Sequence, residues 1–166
     1  MRYSIESQRL RIRNFTLSDA EAYFEMTQDS DIRRYVPYCF SPSLQVTREL
    51  IKDYMKGDWI HDFYLVLEDK QSMQFIGAII ATTNRFFPQL DMAIMTKANY
   101  RNQGYMKEAL EAFIDYLPEG TVLSFIVEKC NTFSLNTVFS IQGIEETTDE
   151  AFPEKLDNIR SFRYVV

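Results

Sequence analysis

Residues 121–129 read TVLSFIVEK, an apolar run without the polar alternation of a strand that has one face in water. Such a strand is covered on both faces. It follows a helix-like stretch, MKEALEAFIDYL at 106–117, which itself follows a strand-like run, DMAIM at 91–95. Strand, helix, strand is a crossover, and a crossover joins parallel neighbours in a right-handed sense. The chain is therefore expected to be α/β, a mixed, twisted sheet containing a parallel pair, with helices on both faces.

The rest of the sequence extends that unit. HDFYLVLED (61–69), QFIGAIIATTN (74–84) and QLDMAIMT (89–96) are strand-like runs separated by short turns, the pattern of a three-stranded meander. QRLRIRNFT (8–16) sets Leu10, Ile12 and Asn14 against Arg9, Arg11 and Arg13 and is expected as the first strand. Ser18, with Glu21 three residues on, reads as a capping box that opens a helix carrying Ala22, Tyr23 and Met26 inward. DIRRYVPYCFSPS (31–43) has two prolines and no period, so it is expected as a structured loop. A second helix, SLQVTRELIKDYMKG (43–57), closes at Gly57, and Asn131 opens a shorter one that ends at Gly143. DNIRSFRYVV (157–166) supplies a last strand, which brings the expected sheet to about six or seven strands.

Composition limits what such a sheet can serve. With 166 residues, 46% of them hydrophobic, the chain fills one core and is too short for two ordinary domains, so 1–166 is expected to be one domain. A formal net charge of −6 argues against nucleic acid as a partner, because its binders carry a clustered basic face. Cys39 and Cys130 lie far apart without metal-type spacing, and the single His61 does not complete a ligand set, so no metal is expected. Both thiols are expected free, as in a reducing compartment. The opening MRYSIESQRLRIR lacks the apolar core of a signal peptide, and no run approaches the roughly 18 apolar residues of a membrane span. A cytoplasmic protein without membrane contact is the expectation.

Between the meander and the crossover helix stands NYRNQGYMKEAL (99–110). A loop that opens a helix presents unpaired N–H groups and the positive end of the helix dipole, which suits an anion such as a phosphate. There is no G-x-x-x-x-G-K-[ST], and no G-x-G-x-x-G follows a strand, so neither a P-loop nor a dinucleotide fingerprint is present. Arg101-Asn102-Gln103-Gly104-Tyr105-Met106 instead resembles the acyl-coenzyme A loop of GNAT superfamily N-acetyltransferases, Q/R-x-x-G-x-G/A. Arg101 and Gly104 match its first and fourth positions, and Met106 stands where Gly or Ala is usual. The likeness spans nearly the whole chain. RLRIRNFTLSDAEAYFEM resembles the branch that includes ribosomal-protein N-terminal acetyltransferases, and Asn131-Thr132-Phe133-Ser134 ahead of Gly143-Ile144 resembles the family's N-x-x-S helix and Gly-Phe.

The resemblance implies a GNAT-like domain whose central strands splay, and direct transfer of acetyl from acetyl-coenzyme A to a primary amine. Ile94, Met95 and Thr96 would contact pantetheine through the main chain, and the N–H groups from Arg101 to Met106, with the Arg101 side chain, would hold the pyrophosphate. Asn131 would hydrogen-bond the donor or simply cap its helix. The family's acid is a Tyr eight residues after that Asn; here the position is Phe139, and Ser134 is the substitute. For the base, Asp91 and Glu128 are the candidates, with His61 an alternative. Residues 31–42 would wall the acceptor, a protein N-terminus or a small-molecule amine. A catalytically weak coenzyme A-binding regulator and an interaction module are the other readings, and an exposed sheet edge offers a homodimer contact.

Overall fold

The alternation near the N-terminus forms strand β2 (Leu10–Asn14), which buries Leu10 and Ile12 completely. It is the second strand. A three-residue β1 (Ser4–Glu6), too short to show a period, pairs antiparallel with it through Ile5 and Ile12. The computed structural model describes residues 3–56, 62–147 and 158–166, so Gly57, His61 and the start of the run at 157 lie outside the described residues. Within them, β3 (Phe63–Asp69), β4 (Phe75–Thr83) and β5 (Leu90–Thr96) form the expected meander, followed by β6 (Val122–Glu128), β7 (Glu145–Thr147) and β8 (Ile159–Val165). The eight strands form one open sheet ordered β1-β2-β3-β4-β5-β6-β8-β7. Among the described residues only β5 and β6 are parallel, as the crossover requires.

Helices cover both faces. On one, α4 (Tyr105–Tyr116) and α5 (Thr132–Phe139) pack Phe113, Leu110 and Val138 on Leu65, Leu67, Ile79 and Phe125. On the other, α1 (Ala20–Thr27), α2 (Ser30–Tyr35) and α3 (Leu44–Lys56) pack Tyr23, Met26, Ile32 and Ile51 on Val66, Ala78, Ala93 and Met95. Adjacent residues of β3 thus feed opposite cores, and each fully buried large side chain stabilises the fold by about 1.5–3 kcal/mol. On β6, Leu123, Phe125 and Val127 are buried, but Ile126 is 47% exposed. Its face opens where β6 parts from β5.

Two local expectations change. The capping box before α1 is Thr16 with Asp19, whose carboxylate accepts from the Thr16 N–H at 2.7 Å and hydroxyl at 2.8 Å; Ser18 and Glu21 do not form it. Asp19 also meets the Arg13 guanidinium at 2.8 Å, and that ion pair fixes the choice. Residues expected as a loop contain α2 and a short 3-10 turn, Pro37–Cys39. The cause is Asp29, which caps α2 by accepting from the N–H groups of Asp31 and Ile32.

Candidate active site

β5 pairs with β4 along its whole length, from Leu90 opposite Thr83 to Thr96 opposite Gly77. On its other side it meets β6 only at Leu90–Leu123 and Asp91–Ser124. Beyond those two pairs the strands diverge, which is the expected splay, and backbone groups of β5 on that side have no strand partner. Gly77 permits this placement. A Cβ there would overlap the Met95 carbonyl oxygen, so β4 and β5 approach at a distance only glycine allows.

The split opens into a cleft of about 280 Å³. Ile94, Met95 and Thr96 form its strand wall; Arg101, Asn102, Gly104, Tyr105 and Met106 its helix wall; Asn131 and Ser134 a third side. Ten of the eleven residues assigned to the donor or to Ser134's role therefore line one cavity. Gln103 does not, since its side-chain amide donates to the Asn99 carbonyl at 2.7 Å.

The helix wall is suited to an anion. Gly104 is the N-cap of α4 with φ +77°, and no side chain caps that end. The first N–H groups of α4 therefore lack intrahelical acceptors. Glu108, the acid of the first turn, is turned away to Arg9 and Ser7, accepting from the Arg9 N–H and Nε at 2.6 Å each and the Ser7 hydroxyl at 2.7 Å. Burial would raise the Glu108 pKa, but these donors outweigh it and hold the carboxyl below its usual range. A Cβ on Gly104 would lie 3.6 Å from Arg9 Nη2, ordinary contact, so the positive φ and not lack of space demands glycine. Met106 is 6% exposed within the α4 core, which accommodates the side chain larger than the family's Gly or Ala.

Arg101 departs from its expected role. Its Nη2 lies 2.8 Å from Asp29, its Nη1 3.2 Å from Asp31, and its Nε donates to the Thr96 carbonyl at 3.2 Å. The guanidinium is committed to two carboxylates at the start of α2, so it ties that helix to the cleft in place of standing ready for a phosphate. Burial would raise the Asp29 pKa; Arg101 and the α2 N–H groups outweigh it and depress it. Asp31, Ile32, Tyr35 and Val36 consequently roof the cleft, and the Tyr35 hydroxyl reaches the Cys130 carbonyl at 3.4 Å on the far side. The sequence signal was Asp29, a cap residue one place ahead of Ser30.

On α5, the Asn131 side-chain oxygen Oδ1 caps the helix by accepting from the Ser134 N–H at 3.2 Å, while both residues face the cleft. Asn136, Thr137 and Ser140 line it too. Phe139 does not. It is half exposed, stands edge-on to Phe162 at 5.1 Å and lies under the Arg160 guanidinium at 4.6 Å.

The base candidates are not gathered with Ser134. Glu128 lines neither cleft and accepts from the Cys130 thiol at 3.4 Å. Asp91 lies in a second cleft, of about 430 Å³, on the face carrying α1, α2 and α3. Tyr38 and Cys39 line that one, so residues 31–42 serve both clefts rather than the acceptor side alone. Among the described residues, no group of three or more His, Cys, Asp or Glu could hold a metal ion, and no helix is long and apolar enough to cross a membrane.

Comparison with known proteins matches residues 9–138 to the acetyltransferase (GNAT) domain family. The uncharacterized N-acetyltransferase YnaD of Bacillus subtilis (strain 168) is 30% identical over 131 residues, 76% of this chain and 72% of its own. A structure of RimL, a ribosomal L7/L12 alpha-N-protein acetyltransferase, in complex with coenzyme A has the same fold at a TM-score of 0.82 and 11% identity, covering 99% of this chain and 98% of its own. Spermidine N-acetyltransferase from Vibrio cholerae, in complex with CoA and spermine, gives a TM-score of 0.75 at 16% identity, covering 95% of each chain.

Proposed function

The chain belongs to the GNAT acetyltransferase family and is an N-acetyltransferase, and from that premise we propose that acetyl-coenzyme A occupies the cleft at the β5–β6 split and that the acceptor is a primary amine. One observation carries this reading: the diverging strand edge and the uncapped start of α4 face the same cavity. The backbone of Ile94, Met95 and Thr96 offers the hydrogen-bonding edge that an extended amide-containing arm requires. The N–H groups at Gly104, Tyr105 and Met106 suit a pyrophosphate, helped by the α4 dipole. Arg101 acts here by holding the α2 roof, with its side chain secondary to those N–H groups.

Acetyl-coenzyme A supplies an activated acetyl group as a thioester. In the transfer, the neutral amine attacks and a carbon–nitrogen bond forms as the carbon–sulfur bond breaks; the nitrogen passes one proton by way of water and Asp91 to solvent, and the sulfur gains one. Ser134 is the side chain on α5 to which we assign the proton for sulfur, replenished from solvent. Its hydroxyl makes no hydrogen bond among the described residues, so it is available for that task. Asp91, on the other side of β5, faces the incoming amine.

Native mass spectrometry with acetyl-coenzyme A, followed by acetylation of an amine panel, tests the reading. A one-to-one donor complex and a mass gain of one acetyl on an amine are expected. A donor complex without transfer to any amine would favour a coenzyme A-binding regulator; absence of a donor complex would remove the assignment of the cleft.

A further inference from the structure

The second cleft is assigned by nothing above beyond its place beside Asp91, and its lining has a definite chemistry. Tyr54 and Tyr64 stack with ring centroids 4.2 Å apart and planes 16° from parallel. Together with Tyr38, Ile80 and Ala93 they make a largely apolar wall, and Asp91 is the one charged side chain among the described residues that line it. Burial pushes the Tyr64 hydroxyl up to about 12, with Asp62 adding to the shift. Asp62 does not line the cleft; it accepts from the Thr83 N–H at 2.7 Å and the Tyr64 hydroxyl at 3.4 Å.

Asp91 is oriented by two side-chain amides. One of its oxygens accepts from the Asn84 amide at 2.7 Å and the other from the Gln89 amide at 3.0 Å. Asn84 uses its own carbonyl oxygen to accept from the N–H groups of Phe86 and Phe87, so the same residue that orients the carboxylate also sets an exposed aromatic turn. β5 gives Asp91, Met92 and Ala93 to this cleft and Ile94, Met95 and Thr96 to the donor cleft. The two therefore adjoin along one strand at the split.

Resting on the acetyltransferase reading, we infer that the acceptor is a small monoamine with an aromatic or bulky apolar body, bound with its ammonium directed to Asp91 and its body against Tyr54, Tyr64 and Ala93 and losing its extra proton to solvent before attack. A volume of about 430 Å³ suits a ligand of that size. Aromatic faces and one carboxylate complement one cation on an apolar stem. A polyamine would bring further charges against tyrosine rings and the Ile80 and Ala93 side chains without partners, which is costly. A peptide N-terminus would bring backbone N–H and C=O groups, for which the described lining offers little beyond Thr82 and the tyrosine hydroxyls.

The test uses the full chain with 2-phenylethylamine as probe, beside spermidine and a short peptide with a free N-terminus. At saturating acetyl-coenzyme A, kcat/KM for 2-phenylethylamine should exceed the other two by about tenfold or more. Calorimetric titration of 2-phenylethylamine into the protein, with and without coenzyme A, reads the cleft independently of turnover. Tyr54→Ala should weaken that binding about tenfold and leave donor affinity unchanged. Thr82→Arg serves as a second variant, since Thr82 lies directly opposite Asp91 on β4 and is only partly buried; the new cation should pair with Asp91 and displace the amine. Preference for spermidine or the peptide, or unchanged 2-phenylethylamine binding in both folded variants, overturns the inference. Loss of donor binding in the wild type would instead strike the acetyltransferase assignment, and the direct titration would still decide the acceptor class.

Discussion

The clefts proposed for donor and acceptor adjoin along β5, yet they are built from different materials. The donor cleft is largely a backbone site: a strand edge freed by divergence, a glycine at positive φ and the bare N–H groups of a helix start. The acceptor cleft is a side-chain site, in which Tyr38, Tyr54, Tyr64 and Asp91 converge from four separate segments. A backbone site survives sequence change provided the few residues that set its dihedrals remain. A side-chain site is rewritten by a handful of substitutions. One frame can therefore keep its backbone site while the side-chain site varies.

The largest effect should come from breaking the backbone side of that comparison. Gly104→Val forces a β-branched residue into φ +77° at the mouth of α4 and should weaken acetyl-coenzyme A binding at least about a hundredfold, while circular dichroism stays native. Near wild-type affinity in that variant would mean that the helix start is not the anion site. Ser134→Ala removes a side chain from the same cleft and should lower kcat by about ten- to hundredfold with little change in donor affinity, the low end of what a general acid contributes. Unchanged kcat would leave solvent as the proton source for sulfur.

Arg101→Ala should act more mildly on the donor, and it separates two roles for the same residue. If its guanidinium held the pyrophosphate, donor affinity would fall steeply and the loss would depend on salt. The ion pairs to Asp29 and Asp31 lead to a different expectation: a loss of about 1–3 kcal/mol in stability, with a donor affinity only severalfold weaker. The pH dependence has a definite sign. Because the native Asp29 pKa is depressed, the contribution of this pair is present above the ordinary Asp value and is lost as pH falls through the native one. Urea melts between neutral and acid pH should therefore converge for wild type and Arg101→Ala on the acid side.

The same contrast explains what could be read from the chain. The parallel β5–β6 pair, the meander and the donor loop were legible because hydrophobic period and glycine placement are local signals. They determine backbone, and the donor cleft is backbone. β1 and β7 were missed because three residues carry no period. α2 reads as loop because Pro37 and Pro42, which follow it, mask the Asp29 cap, and with it go the ion pairs that redirect Arg101. Asp91 was legible as a carboxylate beside the split, but Tyr54 and Tyr64, on α3 and β3, became one wall only through packing that no local spacing records.

The smallest expected effect is the most exacting test of reading position through geometry. The alignment of motifs makes Phe139 the place of a missing acid, so Phe139→Tyr should restore a proton donor if place along α5 were enough. A helix turns about 100° per residue, however, and the residues of α5 that face the donor cleft are Phe133, Ser134, Asn136, Thr137 and Ser140. Phe139 points to the other side, where its ring meets Phe162 and the Arg160 guanidinium. A hydroxyl added to this half-exposed ring would enter solvent or the margin of β8, remote from the sulfur it would need to reach. Phe139→Tyr should leave kcat within about twofold, in the wild-type and Ser134→Ala backgrounds alike, and shift stability by no more than about 0.5 kcal/mol, as expected for a surface substitution. Recovery of about tenfold in kcat in the Ser134→Ala background would show that α5 presents a different face during turnover, and the acid would then have to be sought on that face.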